Sequence, residues 1–317
     1  LGTSHSYEYL GDYHYSPREN IGFLGGEIDY NGKYYIKKIY RGRMDDISPL
    51  SKSGADAMEG DVILSINGID LDETNPPGKV LLNMADETVA ITLLRKNERI
   101  TRNVKLLGDE SYLIYREWVE NNKDLVHRIS NNRVGYVHIP DMGNRGYNEF
   151  FLNYLEESEH DALIIDVRFN TGGYVSPLLL EVLNRKIIGY DNPRHGMKTE
   201  YPPESPKGPV VCLTNELSGS DGDIFSHAFK LMKIGPLIGT RTWGGVIGIN
   251  PRRRLIDGTV VTQPEYAFWF KDVGFGVENR GTEPDIYVEN TPQDYSMGRD
   301  IQLERAVEIA LKLLEKS

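Results

Sequence analysis

The feature that most constrains the fold is a repeated alternation of apolar runs and amphipathic stretches between residues 134 and 240. The apolar runs lie at residues 134–139, 162–168, 209–214 and 237–240. Short runs of this kind are typical of strands that are covered on both faces, and the stretches between them have helical spacing. Because alternating strands and helices pack as an α/β domain, the sequence predicts such a domain, which we place at residues 108–317.

A different pattern occupies residues 19–107. Segments such as residues 34–39, 89–94 and 100–106 are short and separated by glycine turns, which predicts a small β-rich domain. Residues 1–18 have no clear period and begin with leucine. We therefore expect them to be the remnant of a preceding subdomain, in a chain that is part of a longer protein.

Composition limits the partners. Asp and Glu number 47 against 36 Lys and Arg, a net charge of −11, so the surface should repel nucleic acid and anionic lipid. No apolar run approaches the ~20 residues that a membrane helix needs. Cys212 is the only cysteine, which excludes an intrachain disulfide and fits a reducing compartment, so we expect a cytoplasmic protein. The usual metal and nucleotide motifs are missing, so we predict no metal and no cofactor.

One motif carries candidate chemistry. Residues 218–222 read Ser-Gly-Ser-Asp-Gly and stand between a predicted buried strand and a predicted helix. Ser220 therefore lies on a tight turn, where free helix N–H groups can stabilise an oxyanion and the hydroxyl can act as a nucleophile. The alternative is that Ser220 only caps the helix. The pattern differs from the Gly-x-Ser-x-Gly turn of α/β-hydrolases, which disfavours that fold.

A second motif follows another predicted strand. Residues 166–173 read Asp-Val-Arg-Phe-Asn-Thr-Gly-Gly. Because glycine has no side chain, the backbone N–H groups of Gly172 and Gly173 can approach a ligand closely. We therefore include Gly172 among the candidate substrate-binding residues.

Both parts of the chain resemble known families. Residues 19–107 resemble a PDZ domain, through Gly-Phe-Leu-Gly-Gly at 22–26 and Gly-Asp-Val-Ile-Leu-Ser-Ile-Asn-Gly at 60–68. That likeness implies a peptide bound as an added strand, although the glycines could simply form turns. The two motifs after the strands resemble those of tail-specific proteases. This second resemblance implies a crotonase-like ββα domain in which the N–H groups of Gly173 and Asp221 form an oxyanion hole.

The chain lacks the catalytic base that many tail-specific proteases use. Many members use a lysine in Gly-Lys-Gly, and Gly245 stands at that place here, so Ser220 needs another base. Residues 2–8, Gly-Thr-Ser-His-Ser-Tyr-Glu, resemble the tricorn protease core. That resemblance implies a Ser-His-Ser-Glu tetrad, with His5 as base and Ser4 linking to Glu278. A solvated terminal histidine and a surface glutamate are the alternatives.

We therefore predict a serine peptidase that cuts short peptides or unfolded chains through an acyl-enzyme. Its partners would be peptides, and the resemblance implies a homo-oligomer, since tricorn proteases form hexamers. Asp191 falls where that family can carry an acidic residue favouring basic side chains before the cut, although a turn aspartate is the alternative. One alternative function is an inactive PDZ-containing peptide-binding scaffold. Another is acyl-CoA chemistry in a crotonase-like domain.

Overall fold

The computed structural model of the chain describes residues 5–11, 20–43, 47–251 and 253–316. Within these ranges the chain forms two compact units, one of residues 20–121 and the other of residues 5–11 and 122–316. The division falls inside one helix, and each unit has its own hydrophobic core. The domain boundaries placed after residues 18 and 107 stay predictions.

Strands dominate the described residues up to residue 105, and strands and helices alternate from residue 111 to residue 239, except at the strand pair in residues 189–201. The strands are β1 (Glu8–Tyr9), β2 (Gly26–Tyr30), β3 (Tyr34–Ile39), β4 (Val62–Ile66), β5 (Ile69–Asp70), β6 (Thr88–Arg95), β7 (Glu98–Lys105), β8 (Val134–His138), β9 (Ala162–Asp166), β10 (Gly189–Asp191), β11 (Thr199–Tyr201), β12 (Val210–Thr214), β13 (Leu237–Gly239), β14 (Ile247–Ile249), β15 (Val260–Val261), β16 (Pro264–Ala267) and β17 (Ile286–Tyr287). The helices are α1 (Pro77–Val80), α2 (Ser111–Ser130), α3 (Asn144–Glu157), α4 (Ser176–Leu183), α5 (Asp221–Leu231), α6 (Pro292–Ser296) and α7 (Ile301–Leu314).

The smaller unit is built on an antiparallel sheet. Its strand order is β2-β3-β4-β6-β7, and β5 pairs with β4. Alternate residues of β6 are buried, because one face of the sheet covers the core and the other faces water. The predicted β-rich region is confirmed.

The larger unit is built on a parallel sheet with the strand order β17-β13-β12-β9-β8. Every residue of β8, β9 and β12 is buried, as the uninterrupted apolar runs predicted. The predicted α/β fold class is confirmed. In a parallel sheet the carboxyl ends of neighbouring strands meet at one edge, so the loops after β9 and β12 are brought together.

The fold shows where the single cysteine lies and whether any helix could cross a membrane. Cys212 lies in β12 and is fully buried, and burial raises the pKa of its thiol. No helix in the described ranges is both long enough and apolar enough to cross a membrane.

A buried ion-pair network joins the sheet to α7. Arg168, which is 2% exposed, donates hydrogen bonds to the carboxylates of Asp166 and Asp300, with closest distances of 2.7 and 2.8 Å. The hydroxyl of Tyr136 also donates a hydrogen bond to Asp166, at 2.8 Å. Burial alone would raise the pKa of Asp166, but the Arg168 guanidinium holds it below its usual value. The network therefore keeps the Asp166 carboxylate charged inside the fold.

Replacing Arg168 with methionine should destabilise the larger unit by about 3–5 kcal/mol, because it leaves the buried Asp166 carboxylate without its cation. Guanidinium unfolding followed by circular dichroism measures this. Arg133→Gln is the matched control, since it breaks the exposed Arg133–Asp161 pair and should cost roughly 0–1 kcal/mol. Equal losses in both variants would contradict a special role for the buried network.

Candidate active site

The loops after β9 and β12 meet at the carboxyl edge of the parallel sheet. The Gly219 N–H donates to the carbonyl of Asn170 at 2.9 Å, and the Phe169 N–H donates to the Asn215 side chain at 2.9 Å. The Asn170 side chain in turn donates to the carbonyl of Ile139 at 2.8 Å. These bonds fix the two glycine-containing motifs against one another.

Ser220 has a strained backbone at the junction of β12 and α5. Its φ of 57° and ψ of −120° lie outside the regions that ordinary residues prefer, and such strain persists only where the surroundings impose it. Ser220 is the N-cap residue of α5, yet its side chain makes no capping hydrogen bond. The hydroxyl is therefore not occupied by the helix.

Gly172 faces Ser220, and Gly173 follows it in the chain. A Cβ on Gly172 would lie 2.5 Å from the Ser220 Cβ and 3.0 Å from its Oγ, so only glycine fits there. The φ values of the two glycines, 85° and 150°, belong to the region that favours glycine. Among the described residues, the N–H groups of Gly173 and Asp221 donate to no acceptor. The structure thus brings Ser220, Gly172, Gly173 and Asp221 together.

The Asp221 side chain is bonded to the start of α4. Its carboxylate accepts hydrogen bonds from the N–H and the hydroxyl of Ser176 at 3.1 and 2.5 Å, at the start of α4. Burial raises the pKa of Asp221, and the bonds from Ser176 oppose that rise. The carboxylate therefore anchors α4 to α5 and leaves the backbone N–H available.

Sequence reasoning missed Asp223 and Trp243. The Asp223 carboxylate, on the first turn of α5, accepts from the N–H groups of Gly244 and Gly245 at 2.8 and 3.2 Å. A Cβ on Gly245 would lie 2.2 Å from the Trp243 ring, so the indole fills the space that a side chain at position 245 would need. An acidic residue three places after an N-cap was the local signal for Asp223.

The N-terminal segment is docked in the larger unit. β1 pairs with β15. The Tyr7 N–H donates to the Thr262 hydroxyl at 2.9 Å, and the Thr262 N–H donates to the Tyr7 carbonyl at 2.9 Å. The Thr262 hydroxyl also donates to the carbonyl of His5 at 3.3 Å. These contacts hold His5 in the larger unit.

His5 and Glu278 come together although they lie at opposite ends of the chain. His5 Nδ1 is 3.9 Å from Glu278 Oε1, and the two side chains are only 8% and 13% exposed. Both ring nitrogens of His5, and Glu278 Oε1, are buried without a hydrogen-bond partner among the described residues. Glu278 Oε2 accepts from the N–H of Val246 at 2.7 Å. Ser4 lies outside the described residues.

The His5 ring packs near the Ser220 turn through Trp243. The ring centroids of His5 and Trp243 are 5.9 Å apart, and the same indole covers Gly219. No hydrogen bond joins His5 to Ser220 in the described part of the chain, since both ring nitrogens are unpartnered. Asp191 lies elsewhere, in the exposed hairpin of β10 and β11, opposite Thr199.

Comparison with known proteins identifies the family of both units. The Tricorn protease PDZ domain profile matches residues 22–109, and the Peptidase family S41 profile matches residues 133–288. The chain is 47% identical, over 99% of its length, to the tricorn protease of Thermoplasma volcanium. The chain belongs to the tricorn protease family.

Other relatives of the tricorn family agree with this. The chain is 48% identical over 98% of its length to the tricorn protease homolog of Saccharolobus solfataricus. The crystal structure of the tricorn protease matches with a TM-score of 0.93 and 44% identity, covering 99% of this chain and 31% of that one. The chain thus spans about a third of its relatives' length, 31% and 30% for the two curated proteins. The PDZ-like and crotonase-like parts of the predicted fold are confirmed.

In this tricorn family member a cavity of about 750 Å³ opens beside Gly173 and Asp221. Its walls are mainly apolar and come from α4, α5 and the segment at residues 266–271. His227 on α5 holds that segment through its bond to Asp272, at 3.0 Å, and its ring contact with Phe270. Asp191 is not among the lining residues. Sequence reasoning missed this cavity because its aromatic wall comes from a segment with no recognised motif.

Proposed function

We propose that this chain carries the catalytic centre of a serine peptidase acting on short peptides or unfolded chain ends. The observation that carries the proposal is the Ser220 hydroxyl, which stands on a strained turn, makes no capping bond and lies next to the N–H groups of Gly173 and Asp221, which have no acceptor among the described residues. An activated hydroxyl beside two preorganised donors is what acyl transfer requires. Fluorophosphonate labelling, with the adduct located by peptide mass spectrometry, tests it.

In the proposed mechanism Ser220 attacks the peptide carbonyl. The carbonyl oxygen becomes an oxyanion, which accepts hydrogen bonds from the N–H groups of Gly173 and Asp221. His5 takes the hydroxyl proton and then gives it to the leaving amine, so the C–N bond breaks and an acyl-enzyme remains. Water, deprotonated by the same imidazole, releases the acyl group and restores Ser220.

In the proposed tetrad the Ser4 hydroxyl would link the His5 imidazole to the Glu278 carboxylate. The 3.9 Å between His5 Nδ1 and Glu278 Oε1 exceeds a hydrogen bond, and both atoms are buried without described partners. A hydroxyl bonded to both atoms would satisfy them, which supports the proposed place of Ser4. A carboxylate acting through that hydroxyl would orient the imidazole and stabilise its cation.

The cavity beside the Ser220 turn is proposed to hold the substrate side chain before the cut. It adjoins the N–H groups that would bind the scissile carbonyl, so the neighbouring side chain of the substrate would enter it. Its lining includes Leu180, Ile224 and Phe268, which favour a large apolar side chain. Asp191, by contrast, would favour a basic side chain if it approached the substrate. Activity on peptides with apolar or basic residues before the cut therefore distinguishes the two assignments.

Filling the cavity should narrow specificity. We expect Ala228→Phe to lower kcat/KM by roughly 10–200-fold for peptides with Phe or Leu before the cut, because the new ring takes the space of the substrate side chain. Peptides with Ala at that position should change little. Asp191→Asn is the matched comparison and should affect only peptides with Arg or Lys there. A uniform loss over all peptides in Ala228→Phe would contradict the assignment of the cavity.

A further inference from the structure

A cluster of three metal-binding side chains lies away from the Ser220 turn. His127 Nε2, a carboxylate oxygen of Glu157 and a ring nitrogen of His160 lie within 4.8 Å of one another. His127 is on the last turn of α2, Glu157 is the last residue of α3, and His160 follows just before β9. The cluster therefore sits at the amino edge of the parallel sheet, whereas Ser220 follows the carboxyl end of β12.

The spacing of the three groups fits a tetrahedral ion. Zn²⁺ with bonds of about 2.0–2.1 Å to nitrogen or oxygen has neighbouring ligand atoms about 3.4 Å apart. Glu157 Oε2 is 2.8 Å from His127 Nε2 and 4.0 Å from His160 Nδ1, so these two distances bracket that value. Side-chain shifts of about an ångström or less would bring all three atoms to one ion.

The surroundings hold these side chains in place. The Tyr136 N–H donates to Glu157 Oε2 at 2.9 Å and fixes the carboxylate, which is 1% exposed. The rings of His127 and His160 stack with centroids 4.8 Å apart, so both present nitrogen atoms to the same carboxylate. A carboxylate held by an outer hydrogen bond is typical of a metal ligand.

An ion can also reach the cluster. The side chains of His127 and His160 are 25% and 18% exposed, which leaves an approach for the ion and for a water as fourth ligand. The net charge of −11 favours cations at the surface. The His127–Glu157 hydrogen bond, at 2.8 Å, places a proton where a metal would bind.

We propose that His127, Glu157 and His160 bind one Zn²⁺ ion that fastens the ends of α2 and α3 at the amino edge of the sheet. Each imidazole would bind Zn²⁺ through an unprotonated ring nitrogen, so the hydrogen between His127 and Glu157, and the one that His160 Nδ1 gives to the Glu157 carbonyl at 3.1 Å, would move to the other nitrogen of each ring. The usual zinc motifs did not reveal the site, because one histidine comes from 30 residues before the glutamate.

The test is a titration of the chelator-treated chain with Zn²⁺ alone. We expect one ion per chain with a dissociation constant in the micromolar range or below. Co²⁺ in its place should show the visible absorption of a tetrahedral site. At Zn²⁺ a hundredfold above the dissociation constant, Tm should rise by roughly 5–10 °C.

Variants distinguish this site from adventitious binding. His127→Asn and His160→Asn should each weaken Zn²⁺ at least roughly 100-fold, since loss of an outer partner alone costs 10–100-fold. His195→Asn, an exposed histidine outside the cluster, should bind as the wild type does. Circular dichroism confirms that each variant is folded. If folded His127→Asn and His160→Asn bind Zn²⁺ as tightly as the wild type, or if the wild type binds none, the site does not exist.

Discussion

Replacing Ser220 with alanine is expected to lower kcat/KM for peptide hydrolysis by about 10⁴- to 10⁶-fold, the range measured when a catalytic nucleophile is removed. The Ser220 hydroxyl makes no capping bond, so its loss should leave α5 and the fold intact. Hydrolysis of a fluorogenic peptide, beside circular dichroism, measures both. Fluorophosphonate labelling of this turn should disappear in the same variant.

Ser218→Ala is the matched control for this prediction. Ser218 lies two residues earlier on the same turn, and its Oγ is buried without a hydrogen-bond partner among the described residues. Its removal breaks no hydrogen bond and should leave activity and labelling within about threefold of wild type. A folded wild type that neither hydrolyses peptide nor takes up label would contradict Ser220 as nucleophile. It would favour the peptide-binding scaffold.

The sequence predicted the sheet because its strands are local patterns. The apolar runs that became β9 and β12 are uninterrupted, and the glycine and hydroxyl residues after them mark turns where a ligand can approach. The hairpins of β10–β11 and β14–β16 were missed, since strands of three or four residues carry too little periodicity. β17 is a two-residue edge strand whose pairing with β13 depends on tertiary structure.

The candidate site likewise contains residues that local sequence patterns predict and residues that only the folded chain brings together. Ser220, Gly172 and Gly173 could be found from the residues, because each follows a buried strand. His5 and Glu278 could not, since nothing local shows that the two ends of the chain meet; the family resemblance alone suggested them. Contacts of Trp243 with His5 and of Asp223 with Gly244 exist only in the folded chain. Tertiary contacts of this kind leave no periodic pattern in the sequence.

Replacing His5 with alanine should lower kcat/KM by about 10⁴-fold or more, because Ser220 would lose its proposed base. Added imidazole should restore part of the activity of this variant and none of that of Ser220→Ala, a result that a structural role for His5 would not produce. Glu278→Gln should keep the fold and lose less, since it removes only the charge that orients the imidazole. Unchanged hydrolysis in His5→Ala would mean that another group activates Ser220.

Substitutions of Thr262 test the docking of the N-terminal segment separately from the role of His5 as base. Its hydroxyl accepts from the Tyr7 N–H and donates to the His5 carbonyl, and the side chain is 2% exposed. Thr262→Val leaves both groups unpartnered, which should cost ~1–3 kcal/mol and lower activity by roughly 10–100-fold. Thr262→Ser keeps the hydroxyl and should stay within about threefold of wild type. If valine and serine behaved alike while His5→Ala was inactive, the imidazole would reach Ser220 without this anchor, and the pairing of β1 with β15 would have to suffice.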